Sequence, residues 1–236
     1  VTTAAAQAQA LSHLVDDVAA LVRRGAKPVV VFDLDDTLFS TAQRNLRILR
    51  EFASSRPGVP AALAGVRPEM LRYAIADSAR AAGVDAPELL AELQAFWRAR
   101  FFTNEYLLTD EPLPGAVGYC EELARAGATL VYMTGRDEGM REGTERSLRS
   151  RGFPLRGTAL VLKPSFETPD LEFKTRALAA LPSHGEVRGA FENEPAHVNL
   201  FRDAFPEALM YFVETRHSGK PVEPHPSARR IKDFLR

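Results

Sequence analysis

Five short apolar runs, at residues 29–34, 129–133, 159–162, 187–191 and 209–213, restrict this chain more than any other feature. Runs of this length read as strands buried on both faces, the kind found inside a parallel sheet. Helical patterns alternate with the later four, at 116–126, 138–151, 171–181 and 195–204. Gly127, Gly152 and Pro182 stop the first three helices, and Pro195 opens the fourth, where a missing N–H costs nothing. Strands alternating with helices make a parallel sheet joined by right-handed crossovers. The expected class is therefore α/β, a five-stranded parallel sheet with helices on both faces.

The first two strands break the rhythm. Residues 39–112 lie between them and read as helices at 41–54, 68–82 and 87–106, with breaks at 56–58 and 82–83. Leu89, Leu90, Leu93, Phe96, Trp97 and Phe101 form an apolar stripe at helical spacing. The stretch is too long for a crossover and too regular for a loop. It is expected to be a helical cap domain, 39–112, inserted into a core made of 1–38 and 113–236. Within 1–26, Leu11, Leu14, Val15, Val18, Leu21 and Val22 predict a helix packed on the core, ended by Gly25, with an Ala/Gln-rich start expected to be loose.

Composition narrows the function. Apolar residues are 45% of the 236, enough for a sizeable core, and Lys+Arg 30 against Asp+Glu 31 leaves a net charge of -1. That balance argues against a nucleic-acid or membrane-surface protein. The single cysteine, Cys120, excludes an internal disulfide and a cysteine-rich metal site, and reads as core packing. No apolar run approaches the ~18 residues of a membrane span, no leader is visible, and a cytoplasmic location is expected.

The first run passes directly into Asp33-Leu34-Asp35-Asp36-Thr37. Residues i and i+2 of an extended segment point the same way. Asp33 and Asp35 therefore converge just beyond the carboxyl end of a strand, the edge at which open α/β sheets bind ligands. Two carboxylates so close need a cation or a proton, and hard oxygen donors suit magnesium. An Asp-rich turn with a purely structural role accounts poorly for three acids directly after a buried apolar run.

Three further constellations follow in order. The run at 129–133 ends at Thr134-Gly135-Arg136. A hydroxyl and a backbone N–H at a strand-to-helix turn can hold a phosphate oxygen; Arg136 reads equally as a phosphate contact or as an ion pair within the turn. Lys174 falls at a helix start, where its charge opposes the dipole. Lys163, directly after a strand and before Pro164, is its rival and reads as a loop residue. Finally Gly189-Ala190-Phe191 leads to Glu192-Asn193-Glu194-Pro195.

With Asp33-x-Asp35-x-Thr37 first, then Thr134, Lys174 and Glu192, the chain resembles the haloacid-dehalogenase-like hydrolase superfamily, in its phosphatase type with a helical cap between the first two motifs. The resemblance runs from Pro28 to about Arg216. Glu192 departs from it, standing where the family usually has Asp. The resemblance implies a Rossmann-like core with strand order 5-4-1-2-3 and hydrolysis of a small phosphomonoester, dependent on Mg2+, through an aspartyl-phosphate on Asp33. Asp35 would act as acid and then base, Thr134 and Lys174 would spread the phosphate charge, and Thr37 would brace the turn. Asp33, the backbone carbonyl of Asp35 and Glu192 would hold the ion. Thr134, Gly135, Lys174 and Asn193 would meet the substrate. Glu194, from its place before Pro195, reads as the cap of the helix that Pro195 opens, with the alternative that it and not Glu192 holds the ion.

The expected partner is a small phosphorylated molecule, since a helical cap would exclude a macromolecule; neither nucleic acid nor membrane is expected. Alternatives are a phosphotransferase or phosphomutase on the same core, and a non-catalytic phospho-ligand module, which would be expected to lose Asp33 or Lys174. A carbon–halogen hydrolase lacks the second acid that Asp35 supplies. Arg44 and Arg47 share a helix face at i, i+3; they could meet an anionic substrate, but read rather as a solvated charged face. His13, His184, His197, His217 and His225 show no metal-ligand spacing, though His217 follows the last strand near the expected site.

Overall fold

A computed structural model describes residues 3–55 and 58–236. It opens on α1 (Ala4–Arg23), capped by Thr3, whose Oγ1 accepts the Ala6 N–H at 3.2 Å. The start expected to be loose is thus helical from Ala4. Gln7 explains it: its Nε2 donates to Asp233 Oδ1 at 2.7 Å and to the Leu235 carbonyl at 3.0 Å, tying the first turn to the end of the chain. Val1 and Thr2 lie outside the described residues. Gly25, at φ 82°, turns the chain out of the helix and toward β1 (Pro28–Phe32).

Next come β2 (Phe39–Ser40), α2 (Ala42–Ser54), α3 (Ile75–Ala81), α4 (Pro87–Phe101), α5 (Asn104–Leu107) and β3 (Glu111–Pro112). The alternation then resumes with α6 (Ala116–Arg125), β4 (Thr129–Asp137), α7 (Arg141–Ser150), β5 (Ala159–Lys163) and α8 (Asp170–Leu178). It closes with β6 (Glu186–Glu192), α9 (Pro195–Ala204), β7 (Leu209–Val213) and β8 (Arg229–Ile231).

The main sheet is parallel, in the order β5-β4-β1-β6-β7-β8. It has six strands where the apolar runs predicted five. The extra one, β8, is three residues long and buries only Ile231, so its sequence carries no apolar run to read. β1 lies inside the sheet, with Val31 opposite Val131 of β4 on one side and Ala190 of β6 on the other.

Alternate residues of β1 feed the two faces. Val30 and Phe32 pack with Leu11, Leu14, Tyr119 and Leu123 of α1 and α6. Val29 and Val31 pack with Phe173, Leu178, Val198 and Phe201 of α8 and α9. The rings of Phe32, Phe191 and Tyr211 stack across three adjacent strands, with centroids 4.7 and 4.3 Å apart. Cys120 lies fully buried in the first of these layers. No helix among the described residues is long and apolar enough to cross a membrane.

One boundary matters for the site. The second strand was expected to end at Met133, but β4 runs on to Asp137, with a register shift against β5 between Thr134 and Asp137. Thr134-Gly135-Arg136 is therefore a strand extension and not a strand-to-helix turn. The polar and glycine residues of this extension hid it from the apolar pattern.

The chain divides into two compact units. The first comprises the chain up to Phe39, Pro112–Glu138 and Leu148–Arg236; the second comprises Ser40–Glu111 and Gly139–Ser147. The segment Gly139–Ser147, expected in the core, groups with the inserted helices through Asn104. Asn104 Oδ1 accepts the Gly143 N–H at 2.6 Å, and its Nδ2 donates to the Gly139 carbonyl at 2.9 Å. A Cβ on Gly143 would lie 2.6 Å from Asn104 Cα, so this approach needs glycine.

The second unit has its own core, where Leu46, Leu49, Phe52, Ile75, Leu90 and Leu93 of α2, α3 and α4 meet. Two expected helices are broken. The stretch at 68–82 forms a 3-10 turn, Pro68–Met70, before α3, because Leu71 and Ala74 are extended and the Ser78 hydroxyl takes the Arg72 N–H at 2.8 Å. The stretch at 87–106 stops at Phe101, where Thr103 turns extended. The break expected at 56–58 involves Arg56 and Pro57, which lie outside the described residues.

Arg44 corrects the expectation of a solvated face. It is fully buried, donates to Asp110 from Nε at 2.9 Å and again from Nη2, and lies 4.2 Å from the centroid of the Phe101 ring. Arg47 is half-exposed and pairs with Glu51 at 2.8 Å and Glu105 at 2.5 Å. Asp110 is also fully buried, so neither charge of the Arg44 pair reaches water. Asp110→Ala should destabilise the protein by about 3–5 kcal/mol, because it strands a buried guanidinium. Urea unfolding of the full chain reads this, and Arg44→Met with Asp110→Leu should recover most of the loss. A loss below about 1 kcal/mol for Asp110→Ala, the size of a surface pair, would contradict it.

Candidate active site

β1 delivers Asp33 to the carboxyl edge of the sheet, where its N–H still donates to the Phe191 carbonyl at 3.0 Å. Beyond it the chain turns: the Leu34 carbonyl accepts the N–H groups of Thr37, Leu38 and Phe39 at 3.1, 3.0 and 2.9 Å. Asp36 closes this turn at φ 55°, the one positive φ on a non-glycine among the described residues. Such a conformation costs of order 1–3 kcal/mol and persists only where the surroundings hold it.

Lys174 on α8 reaches the sheet edge from below. Its Nζ donates to Asp33 Oδ1 at 3.0 Å and to Glu192 Oε2, and all three side chains are buried. Lys163, the rival lysine, goes elsewhere: it pairs with Asp170 at 2.9 Å, at the first residue of α8, and donates to the Phe166 carbonyl at 3.2 Å. Its work is to anchor the helix that carries Lys174. Gly135 makes room for that anchor, since a Cβ there would lie 3.1 Å from the Asp170 carboxylate.

Electrostatics follow from this packing. Burial, and then the neighbouring Glu192, push Asp33 from its usual 3.8 up to about 7, against the pull of Lys174. Burial also acts to raise Glu192, but Lys174 and His197 outweigh it and hold that acid down at about 2. Burial disfavours the Lys174 ammonium, yet the two carboxylates override it and raise its affinity for the proton.

Asp35 pairs with a different cation. Its Oδ1 accepts from Arg136 Nη2 at 2.5 Å and Nε at 3.2 Å, with the guanidinium almost wholly buried. Arg136 thus forms an ion pair, with an acid 101 residues away and outside its own turn. Thr134 is buried, and its hydroxyl oxygen accepts the Arg136 N–H at 3.2 Å, leaving the hydroxyl proton to be donated.

Glu192 is bonded through both oxygens: Oε2 to Lys174, and Oε1 to the N–H groups of Asn193 and Glu194, each at 3.1 Å. Asn193 is engaged within the protein, accepting from Thr37 Oγ1 at 3.3 Å and donating to the Arg216 carbonyl at 2.5 Å. Glu194 occupies the position before α9, but its carboxylate caps nothing there; it takes the Ser218 N–H at 3.0 Å and hydroxyl at 2.7 Å. His217 accepts the Gly219 N–H at 3.2 Å in a local turn.

The expected ion ligands are two carboxylates, Asp33 and Glu192, with the Asp35 carbonyl; no group of three or more His, Cys, Asp or Glu placed to hold a metal exists among the described residues. Asp35 Oδ1 is taken by Arg136, and the backbone carbonyl of Asp35 is the donor expected to meet an ion. Asp33 Oδ2 accepts no hydrogen bond from any described residue and is the open side-chain oxygen. Asp33 and Glu192 share the single ammonium of Lys174, so the buried trio carries two carboxylates against one cation. A hard divalent cation fits that donor chemistry.

Two features of the site escaped the sequence reading. His197 is buried on α9 with its Nδ1 3.6 Å from Glu192 Oε2 and no hydrogen-bond partner. Its signal was available: a histidine inside the helix that starts just after the acid. The second is the grip of Thr215 and Arg216 on Asp36, for which no local pattern exists.

The haloacid dehalogenase-like hydrolase family matches residues 27–187, and the chain belongs to that family. No curated protein matches it. Solved structures do. A Geobacter sulfurreducens protein described as a HAD-superfamily hydrolase of subfamily IA, variant 1, gives a TM-score of 0.55 at 13% identity, over 89% of this chain and 95% of that one. A protein of Clostridium difficile described as a candidate phosphatase gives 0.55 at 14% identity, over 80% and 86%. A haloacid dehalogenase-like family protein of Streptococcus pneumoniae gives 0.51 at 16%, over 79% and 84%. At such identities the likeness speaks for the fold, a parallel sheet flanked by helices.

Asp33 has a consequence for stability. The unfolded chain releases this proton near about pH 3.9, while the folded protein holds it to about 7. The unfolded state therefore binds fewer protons across that window, and stability falls as pH rises through it. Asp33→Asn removes the cost. The metal-free variant should melt above wild type at pH 8, with the difference closing by pH 4. A variant that melts lower than wild type at pH 8 would contradict the charge excess.

Proposed function

We propose that this hydrolase is a phosphatase, acting on small phosphomonoesters through a covalent aspartyl-phosphate on Asp33. The observation that carries the reading is the state of the Asp33 carboxylate. One oxygen is gripped by Lys174, the other is open, and a second acid, Asp35, stands two residues on in the grip of Arg136.

In this reading Asp33 Oδ2 attacks phosphorus, forming a P–O bond as the bond to the leaving oxygen breaks. Asp35 gives its proton to that oxygen. Water then attacks the phosphorus and hands a proton to Asp35, and the Asp33 carboxylate is released with inorganic phosphate. Lys174 keeps Asp33 aimed, and Arg136 fixes the direction in which Asp35 presents its carboxyl group. The Thr134 hydroxyl and the Lys174 ammonium face the added negative charge. A magnesium ion held by Asp33, the Asp35 carbonyl and Glu192 would offset the repulsion between nucleophile and phosphate.

Phosphate release from a panel of phosphomonoesters, with and without magnesium, tests the reading. Asp33→Asn should abolish release, since an amide is a poor nucleophile. Asp35→Asn should cost about 10²–10⁴-fold, the usual reach of acid–base help. Glu192→Gln should raise the magnesium concentration needed for half activity. Normal turnover by Asp33→Asn would refute the mechanism. Phosphoryl transfer to an added alcohol in preference to water would favour a phosphotransferase.

A further inference from the structure

Asp36 is not a glycine, yet it holds a positive φ in the turn that spaces Asp33 from Asp35. Asp visits that region more readily than most L-residues when its short side chain is hydrogen-bonded, but still at a cost relative to glycine. Here the bonding groups come from the segment after β7, which none of the four motifs includes. Thr215 Oγ1 donates to the Asp36 carbonyl, and Arg216 Nη2 donates to Asp36 Oδ1 at 2.9 Å.

The same segment holds the loop after β6. The Arg216 carbonyl accepts from Asn193 Nδ2 at 2.5 Å, and Ser218 donates twice to Glu194. Thr37 closes the ring by donating to Asn193 Oδ1 at 3.3 Å. The segment is itself anchored, since Glu214 N–H donates to the Ile231 carbonyl of β8 at 2.7 Å. A short strand at the sheet edge thus supports a loop that buckles two acidic loops together.

We infer that Thr215 and Arg216 are positioning residues for the nucleophile. They clamp Asp36 in its left-handed turn and thereby set the direction of Asp33 and Asp35, without touching substrate. The kinetic consequence rests on the phosphatase reading; the structural one does not. Glycine adopts the same turn unaided, which supplies the control.

The experiment compares wild type, Arg216→Ala, Asp36→Gly and the double variant, with kinetics on p-nitrophenyl phosphate and amide exchange by NMR. Arg216→Ala should lower kcat by about 10- to 100-fold, the scale of a small misplacement of reacting groups, with KM little changed. Added to Asp36→Gly, the same substitution should cost far less, the mark of two residues acting through one contact. Exchange at Thr37, Leu38 and Phe39 should quicken in Arg216→Ala, while core amides of β1 and β6 stay protected. Unchanged exchange at those three amides would overturn the clamp. So would a loss that falls on KM and persists undiminished beside Asp36→Gly, which would make Arg216 a substrate contact. If wild type released no phosphate, the phosphatase reading would fall, and the exchange data would still decide the clamp.

Discussion

One ammonium shared between two carboxylates, all buried at the edge of a parallel sheet, is the constraint around which the first unit is organised. Removing an ion from water costs several kcal/mol even after relaxation. Lys174 offsets much of that for Glu192, which stays ionised. It does not do so for Asp33, which is left with its proton affinity raised. The arrangement requires α8 to arrive at one place and angle, and the buried end of the Lys163–Asp170 pair secures that arrival. A bare Gly135 beside it is part of the same requirement.

Strand adjacency does the rest. β1 leads directly into Asp33, its neighbour β6 ends at Glu192, and its other neighbour β4 runs on through Thr134 and Arg136 to Asp137. Neighbouring strands lie about 4.8 Å apart. Residues distant in sequence are thereby brought within hydrogen-bonding reach once their strands pair. The loops beyond the strands then need bracing, because loops at a sheet edge have few neighbours of their own. Asn193, Thr37 and the segment after β7 supply it.

The second unit shows the opposite use of charge. Arg44 and Asp110 are fully buried, and the aromatic ring of Phe101 covers the guanidinium. No chemistry is on offer there, since neither group reaches solvent. The pair joins α2 to the segment returning from the insertion. Nearby, Trp97 donates to Asn45 Oδ1 at 2.7 Å, joining α4 to α2.

Much of this was written into local sequence. Apolar runs of strand length with helical patterns between them determined the class and five of the six strands, because burial on both faces forces a run of apolar side chains. The spacing of Asp33 and Asp35 determined that two acids leave one strand together. The charge of Lys174 at a helix start marked it out from Lys163. The tertiary structure alone decided the partners. Whether Arg44 was solvated or buried depended on Asp110, whose sequence separation of 66 hides it from any helical pattern. Whether Arg136 met a phosphate or an acid depended on where the Asp36 turn left Asp35. The hold of Thr215 and Arg216 on Asp36 was invisible for the same reason, while the strand β8 was missed because it carries no apolar run. Periodicity reports which face of an element is buried, whereas an ion pair or a loop brace is defined by a second segment that only folding brings near.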